Sequence, residues 1–574
     1  MESLSLPFDI GSTLYSSLSN NLMNVLLLQV YMRLNRYRVF LLLALGPSAV
    51  VQIAYLRTHE FPALLGGLFL EMAATVASSD ALVPATISGF TSDGIPFGYP
   101  PLGFYVIALF QKLGVDGVSL LRFGAPVILL CNVVMLYHFI TVITDSPETG
   151  CIAGIITGTN LSLNVYLIGA SGFVRGLGFL FMLVAMLGAY QYYANGEGQR
   201  ALAIVVVGWG LVVLTHPVQA AAAGAAIAAA WLVWDRSLRG LATGAGIAVV
   251  GLIIASPWWL TVVSIHGVDI FFAGAGSQGS INNSLSDLAD LVRWFWGSSY
   301  VLNWPAVFAL IGTVAMVSRG EWRLPAWLAT PVFLLVPPHG RLGILIVAPL
   351  GAVGFIFILS ALTGLDTDLP DMSVQWFSRP TLSGMTFVLP DLSSKRVVAI
   401  MFIVLLVGPF ISQNMVAASR TSSDSPLPVY VDAEDRSAME WIEDETAVDA
   451  QIAVFGGASE WLPYFTNRTS VIVKYGTEWL GQETFRRHES AQSQLGNCWN
   501  ASCVNATLVK YEFAPEVDYV YVPYGRFMSG RTATSIPPAL HRSMVANPQF
   551  TRVYRNSGVS IYKYNQTVPV DREN

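Results

Sequence analysis

Charge is what this 574-residue chain has least of. Asp, Glu, Lys and Arg together make up 12% of it, against about 25% in a soluble domain. Hydrophobic residues make up 53%, and the mean hydropathy is +0.55. Surface-to-volume scaling limits how much apolar surface one core can bury, so lipid must be part of the solvent. Lysine is scarcer still: Lys112, Lys395, Lys474, Lys510 and Lys563 stand among 31 basic residues. A net charge of −6 gives no sign of a nucleic-acid partner. There is no phosphate-binding P-loop, no Cys/His cluster at metal spacing, no Gly-x-Ser-x-Gly elbow and no redox Cys-x-x-Cys. No small-residue cleavage pattern follows the first apolar run, so Leu14–Tyr37 reads as an interfacial amphipathic segment rather than a removed signal. Cysteine is sparse as well. Cys131 and Cys151 lie in apolar runs and read as core. Cys498 and Cys503 sit close together in a polar region and suggest a local disulfide, which needs an oxidising compartment.

What is abundant is long apolar runs. A span needs about 20 apolar residues. Candidates are Val39–Leu56, Leu120–Ile143, Thr149–Gly169, Gly176–Ala194, Ala201–His216, Val218–Trp234, Leu241–Val263, Val301–Val317, Leu324–Pro338, Leu342–Leu362 and Val397–Val416. The expectation is a polytopic α-helical membrane protein of about eleven spans. Val106–Leu113 is too short and reads as a juxtamembrane or re-entrant helix. With the N-terminus inside, Arg33, Arg36, Arg38, Arg200, Arg236, Arg239, Arg319, Arg323, Lys395 and Arg396 all fall in inner loops. The acceptor sequons at Asn282, Asn467, Asn500, Asn505 and Asn565 then all fall outside. Asn160-Leu-Ser lies within a span and reads as accidental. The chain divides into an interfacial segment 1–37, a membrane domain 38–416 with a long exterior loop 57–119, and an extracellular C-terminal domain 417–574 of α/β or α+β type. Arg436–Glu445 reads there as an amphipathic helix, and Gln451–Phe455, Ser470–Lys474, Tyr519–Pro523 and Val559–Tyr564 read as strands. Asp366–Lys395 reads as a polar inner loop.

The exterior loop is the most unusual stretch. It opens Arg57-Thr-His59-Glu60, passes Glu71 and Asp93, and ends Tyr99-Pro-Pro-Leu-Gly-Phe-Tyr105. Loops of this length in a compact bundle are usually functional. Glu60 and Glu71 are 11 residues apart, a spacing that would set both on one helical face. Elsewhere, charged or titratable residues mark exterior span ends: Arg175 in Ser171-Gly-Phe-Val-Arg175, His216 before Pro217, and His339 and Arg341 in Pro337-Pro-His339-Gly-Arg341. Charge near the bilayer persists where it faces water, a partner or an anionic ligand, and the planar arginine fork suits phosphate. Plainer readings stand beside these. The arginines would snorkel to headgroups. His216 and Asp93 would be turn residues. Glu60 would pair with Arg57, Glu71 would line a loop helix, and Trp258 and Trp259 would form an interfacial belt.

An acidic residue just past the first span, followed by a helical loop ending in the Tyr-Pro-Pro motif, resembles the GT-C superfamily of membrane glycosyltransferases. Ser256-Pro-Trp-Trp259, Ala438-Met-Glu-Trp-Ile and Asp518-Tyr-Val-Tyr-Val fit the same picture. The resemblance implies sugar transfer from a polyprenyl-phosphate donor, dolichyl phosphate in archaea, with a first-loop carboxylate as catalytic group. Glu60, and Glu71 as second choice, would then be the general base. Arg175 and Arg341, helped by His216, would hold the donor phosphate, and His59, Asp93 and His339 would line the site. The partners implied are the lipid-linked donor, an extracellular glycan or glycoprotein acceptor such as a surface-layer protein, and membrane lipids, with mannose as one candidate sugar and metal dependence open. Thr477-Glu-Trp-Leu-Gly does not match the Trp-Trp-Asp signature of oligosaccharyltransferases, which argues against transfer of a whole oligosaccharide to asparagine. A transporter or lipid-linked-sugar flippase is the alternative; no convincing internal repeat supports it.

Overall fold

A computed structural model describes residues 35–169, 172–276, 303–335, 340–363, 392–421, 425, 427–529 and 532–565. Residues 1–34 of the interfacial segment, most of the polar inner loop, His339 and Asn282 lie outside the described residues.

Each apolar run becomes a helix or a helix pair. In chain order they are α1 (Asn35–Thr58), the exterior-loop helices α2 (Gly67–Ser78) and α3 (Leu102–Lys112), then α4 (Gly117–Thr144), α5 (Pro147–Thr159), α6 (Leu161–Leu167), α7 (Gly172–Tyr193), α8 (Gln199–Val213) and α9 (Pro217–Ala230). They continue with α10 (Leu238–Ile254), α11 (Ser256–His266), α12 (Asp269–Gly276), α13 (Trp304–Ser318), α14 (Arg323–Leu335), α15 (Ile344–Thr363) and α16 (Leu392–Ala418). Among the described residues six helices are long and apolar enough to cross a bilayer, or seven if the bent pair α10–α11 is one span. The chain is a multi-pass membrane protein.

Two expected spans are broken. Asn160 takes an extended conformation between α5 and α6, and its side chain caps α6 by accepting from the Leu163 N–H. Such a cap satisfies an orphan N–H at a new helix start. α10 and α11 meet at 65°, with Pro257 in the first turn of α11, where its missing N–H costs nothing. Helix starts elsewhere follow the same chemistry: Asp116 caps α4, Ser146 caps α5 and Ser237 caps α10. Helices α13 and α15 cross at glycine, since a Cβ on Gly354 would lie 1.9 Å from the Phe308 carbonyl oxygen. Small residues permit such backbone approach in lipid-embedded bundles. Cys151 is buried as expected, but Cys131 is exposed on α4, in line with Phe123, Val127 and Val134 at helical spacing. The apolar surroundings of Cys131 are therefore the medium outside the bundle rather than its core.

The C-terminal domain is built on a mixed sheet. Its elements are α17 (Ala433–Glu445), β3 (Gln451–Val454), α18 (Leu462–Thr466), β4 (Thr469–Ser470), α19 (Gln482–Gly496), α20 (Ala501–Lys510) and β5 (Tyr519–Pro523). A hairpin β6 (Gly525–Ser529) and β7 (Thr532–Ile536) follows, then α21 (Pro538–Ala546), β8 (Phe550–Arg555) and β9 (Val559–Tyr564); the loop hairpin β1 (Thr86–Ile87) and β2 (Ile95–Pro96) belongs to the exterior loop. Strand order is β4-β3-β5-β9-β8, parallel on the first side and antiparallel on the second. The expected helix at Arg436–Glu445 forms behind a capping box of Asp432 and Asp435. The expected strand Ser470–Lys474 shrinks to Thr469–Ser470; beyond it the Ile472 carbonyl accepts from Gln492 and the Val473 N–H donates to His488, both on α19. Cys498 and Cys503 form the local disulfide.

This domain is fastened to the exterior loop along a seam of backbone bonds. The Leu64 N–H donates to the Pro428 carbonyl (3.0 Å), the Ser470 N–H to Gly89 (2.8 Å) and the Thr91 N–H to Ser470 (3.0 Å). Trp461, wholly buried, lies against Gly66 and donates to the Leu64 carbonyl (3.3 Å). The loop 57–119 is therefore a packed layer between bundle and domain, not a free connector.

Candidate active site

Four elements converge beneath the C-terminal domain: α6, the start of α7, the α8–α9 turn and the end of the exterior loop. Arg175, on the first turn of α7, is half-buried, with its guanidinium 5.1 Å from the ring centre of Tyr166 on α6. Cation–π contact holds such a group without neutralising it. His216 is buried and caps α9: its Nδ1 accepts from the Val218 N–H (3.2 Å), with Pro217 at the first helical position. Its neutral ring then carries the proton on Nε2, and Nε2 faces the Tyr166 hydroxyl at 3.5 Å. That hydroxyl also accepts from Gln219 Nε2 (2.7 Å). Tyr99, from the Tyr-Pro-Pro motif, stands edge-on to His216 with ring centres 5.8 Å apart. The result is an aromatic and imidazole box with one arginine at its edge.

The C-terminal domain supplies the roof. The 3-10 turn Thr477–Leu480 enters between exterior loop and bundle. A Cβ on Gly98 or on Gly274 would lie 2.5 Å from the Trp479 indole, so the absence of side chains at both positions is what admits the ring. Trp479 also lies edge-on to Tyr99, at 6.4 Å. Beside it, Glu478 accepts from the Gly476 N–H (2.6 Å). Burial pushes its carboxyl up to about 7, against the opposing pull of Lys474 and Arg175. Glu478 is thus a carboxyl within electrostatic reach of Arg175. Glu460 lies deeper, at 2% exposure. One of its oxygens accepts from the Tyr475 N–H (3.3 Å), while Oε2 has no hydrogen-bond partner. Burial raises its carboxyl well above the ordinary range, and neighbouring Glu478 raises it further. Lys474 pairs with Glu489.

These two raised carboxyls carry a pH signature. A carboxyl whose folded pKa lies above its unfolded value is destabilising when ionised, so stability is gained as pH falls through the folded value toward the unfolded one. With Glu478 near 7 in the folded state, the melting temperature should rise as pH drops from about 8 toward about 5. Glu460→Gln, neutral at every pH, should raise stability at pH 8 and reduce that slope. Thermal melts across this pH range check both.

The sequence-derived site residues separate. Arg175 and His216 come together as described. Arg341 begins on a 3-10 turn (Gly340–Gly343) that packs against α6, the helix bearing Tyr166; its side chain and His339 lie outside the described residues. Glu60 and Glu71 do not share a helix: α1 ends at Thr58, α2 begins at Gly67, and Pro62 and the Gly66–Gly67 pair lie between. Glu60 is exposed on that turn. Glu71 is half-buried on α2 on the side of Tyr464 from α18, and burial raises its carboxyl. His59 is wholly buried, stacked on Tyr55, with Nε2 donating to the Leu427 carbonyl at 2.8 Å. It ties α1 to the domain instead of lining the box. Asp93 is exposed in the turn between β1 and β2. Tyr166, Glu478 and Trp479 were not singled out as site residues from the sequence. A signal existed for the last two, an aromatic–acidic pair between glycines at 476 and 481, but it carries no position in space. Among the described residues no group of three His, Cys, Asp or Glu side chains could hold a metal.

No family sequence profile matches the chain, and no curated protein matches it by sequence. Solved structures do match by shape. The oligosaccharyltransferase of Archaeoglobus fulgidus tethered with an acceptor peptide is 13% identical, with a TM-score of 0.51, covering 85% of this chain and 69% of that one. ArnT from Cupriavidus metallidurans in the apo state is 13% identical, with a TM-score of 0.50, covering 90% and 96%. At such identity the likeness is one of fold. The chain shares the fold of these two structures.

Proposed function

We propose that this protein is a membrane glycosyltransferase that moves a sugar from a polyprenyl-phosphate donor to an acceptor hydroxyl on the exterior side. The observation that carries the reading is Arg175: a half-buried guanidinium at the mouth of the aromatic box, on a GT-C fold, beneath the domain that roofs the box.

Glu60, the exposed carboxylate of the exterior loop, takes the proton of the acceptor hydroxyl as general base. The acceptor oxygen bonds to the anomeric carbon with inversion, while the bond from that carbon to the phosphate oxygen breaks. The lipid phosphate leaves with the negative charge, which Arg175 and Arg341 stabilise as it develops. His216 and Tyr166 hold the box that orients Arg175. Glu478 lies within electrostatic reach of Arg175, and Trp479 offers an apolar wall to a sugar ring. A lipid-borne donor suits an exterior site, where nucleotide sugars are absent. Surface glycans or glycoproteins are the acceptor class this reading favours, with mannose as one candidate sugar.

Membranes containing the protein, incubated with a panel of dolichyl- and undecaprenyl-phosphate sugars and cell-surface glycan acceptors, should transfer label from at least one donor. Absence of transfer from every donor overturns the reading.

A further inference from the structure

The fold sorts the acceptor sequons, and we propose that Asn467 is a site of N-linked glycan attachment on the C-terminal domain while Asn505 is not. The proposal rests on the exterior placement of that domain. A glycan is a bulky polar group attached through the asparagine Nδ2, so that atom must reach solvent in the folded protein.

Asn505 fails this requirement. It is 5% exposed on α20, and its Oδ1 accepts from the Tyr564 hydroxyl at 2.5 Å. A glycan on this buried side chain has no path to solvent without displacing its neighbours, the β9 end held by Tyr564 among them. Asn565 has its Nδ2 engaged twice, donating to the Pro548 carbonyl and to Thr551 Oγ1, each at 3.1 Å. Asn500 is half-buried, and its Oδ1 caps α20 by accepting from the Cys503 N–H (2.8 Å) inside the disulfide-closed turn. Asn160 caps α6 within the bundle.

Asn467 differs in each respect. It is exposed, at the C-terminal end of α18, with φ 52° and ψ 30°. Asparagine tolerates this left-handed conformation better than most residues. Its backbone is fixed by an N–H bond to the Pro463 carbonyl (2.9 Å). The next residue, Arg468, is buried and donates to the carbonyls of Glu443 (2.7 Å), Thr446 (2.9 Å) and Thr466 (2.9 Å). Arg468 and Asn467 thus have opposite environments: the arginine anchors the turn and the asparagine stands outside it. Thr469, the third sequon residue, begins β4. The glycan would stand beside the seam where Ser470 pairs with Gly89 and Thr91.

The test is glycopeptide mass spectrometry on the full chain, expressed in a host that N-glycosylates its surface proteins. The chain carries an added Asn-x-Thr tag on a flexible Gly/Ser linker after Asn574. The expected result is a glycan on Asn467, a bare Asn505, and loss of the Asn467 glycan in Thr469→Val. That variant keeps the β-branched shape and leaves the left-handed asparagine in place, and an unchanged thermal melt would show it folded. A bare Asn467 beside a glycosylated tag overturns the proposal and leaves the exterior placement standing, and a glycan on Asn505 of the folded protein also overturns it. A bare tag, in a host whose own surface proteins carry glycans, overturns the exterior placement and the proposal together.

Discussion

Arg175→Ala should lower kcat/KM for the polyprenyl-phosphate donor by about 10²–10³, the range seen when one preorganised donor to a developing negative charge is removed. The guanidinium is held over Tyr166 rather than tied into a salt bridge, so its fork stays available to a phosphate. Loss of the cation also leaves Glu478 with one fewer positive neighbour, so its carboxyl should rise further and remain protonated, adding no compensating charge. Arg175→Lys keeps the charge without the planar fork and should recover only part of the loss. If the charge acts on the leaving phosphate, kcat falls with kcat/KM; if it serves only to bind the donor, KM rises at constant kcat. Steady-state kinetics with a fluorescent acceptor separate these. Full activity in Arg175→Ala would remove phosphate binding from this box.

Glu60→Gln should reduce kcat by about 10²–10⁴ while Glu71→Gln stays within a few-fold of wild type, a general base being worth that much. The two carboxyls differ in setting. Glu60 is exposed on the turn that follows α1, where an acceptor can reach it. Glu71 is half-buried on the side of α2 toward Tyr464, and burial already disfavours its charge. Replacing it with neutral glutamine should leave stability unchanged or slightly raised. Transfer rates of both variants at saturating donor decide the assignment. Inactivity of Glu71→Gln beside an active Glu60→Gln would move the base to α2.

The residues explain why some of this was readable in advance. Basic residues alternate along the chain with the apolar runs, and the helices alternate likewise, so Arg36 at the start of α1 meets Glu148 at the start of α5 (2.6 Å) at the opposite end of α1 from His59. The short helix at Leu102–Lys112 was recognisable from its length and the prolines before it. The breaks at Asn160 and Pro257 were not recognised, because hydropathy averaged over a window is blind to one residue that caps a new helix. Glu60 and Glu71 were placed on one face by spacing alone; Pro62 and the Gly66–Gly67 pair, which interrupt the helix, were in plain view and were the better guide. The electrostatic reach of Arg175 to Glu478 joins residues some 300 positions apart, and no local pattern encodes proximity of that range.

The sequence by itself determined the solvent, the helical segments, the long loop after the first span, the mixed helix and strand content of the C-terminal domain and the local pairing of Cys498 with Cys503. Those follow from composition, apolar run length and short separations, all local properties of a chain. Only the tertiary structure decided that the loop is a packed layer, that the turn bearing Glu478 and Trp479 roofs the Arg175 box, and that Asn467 faces solvent while Asn505 does not. Burial and charge pairing depend on which distant segments meet, and that is settled by packing the whole chain at once.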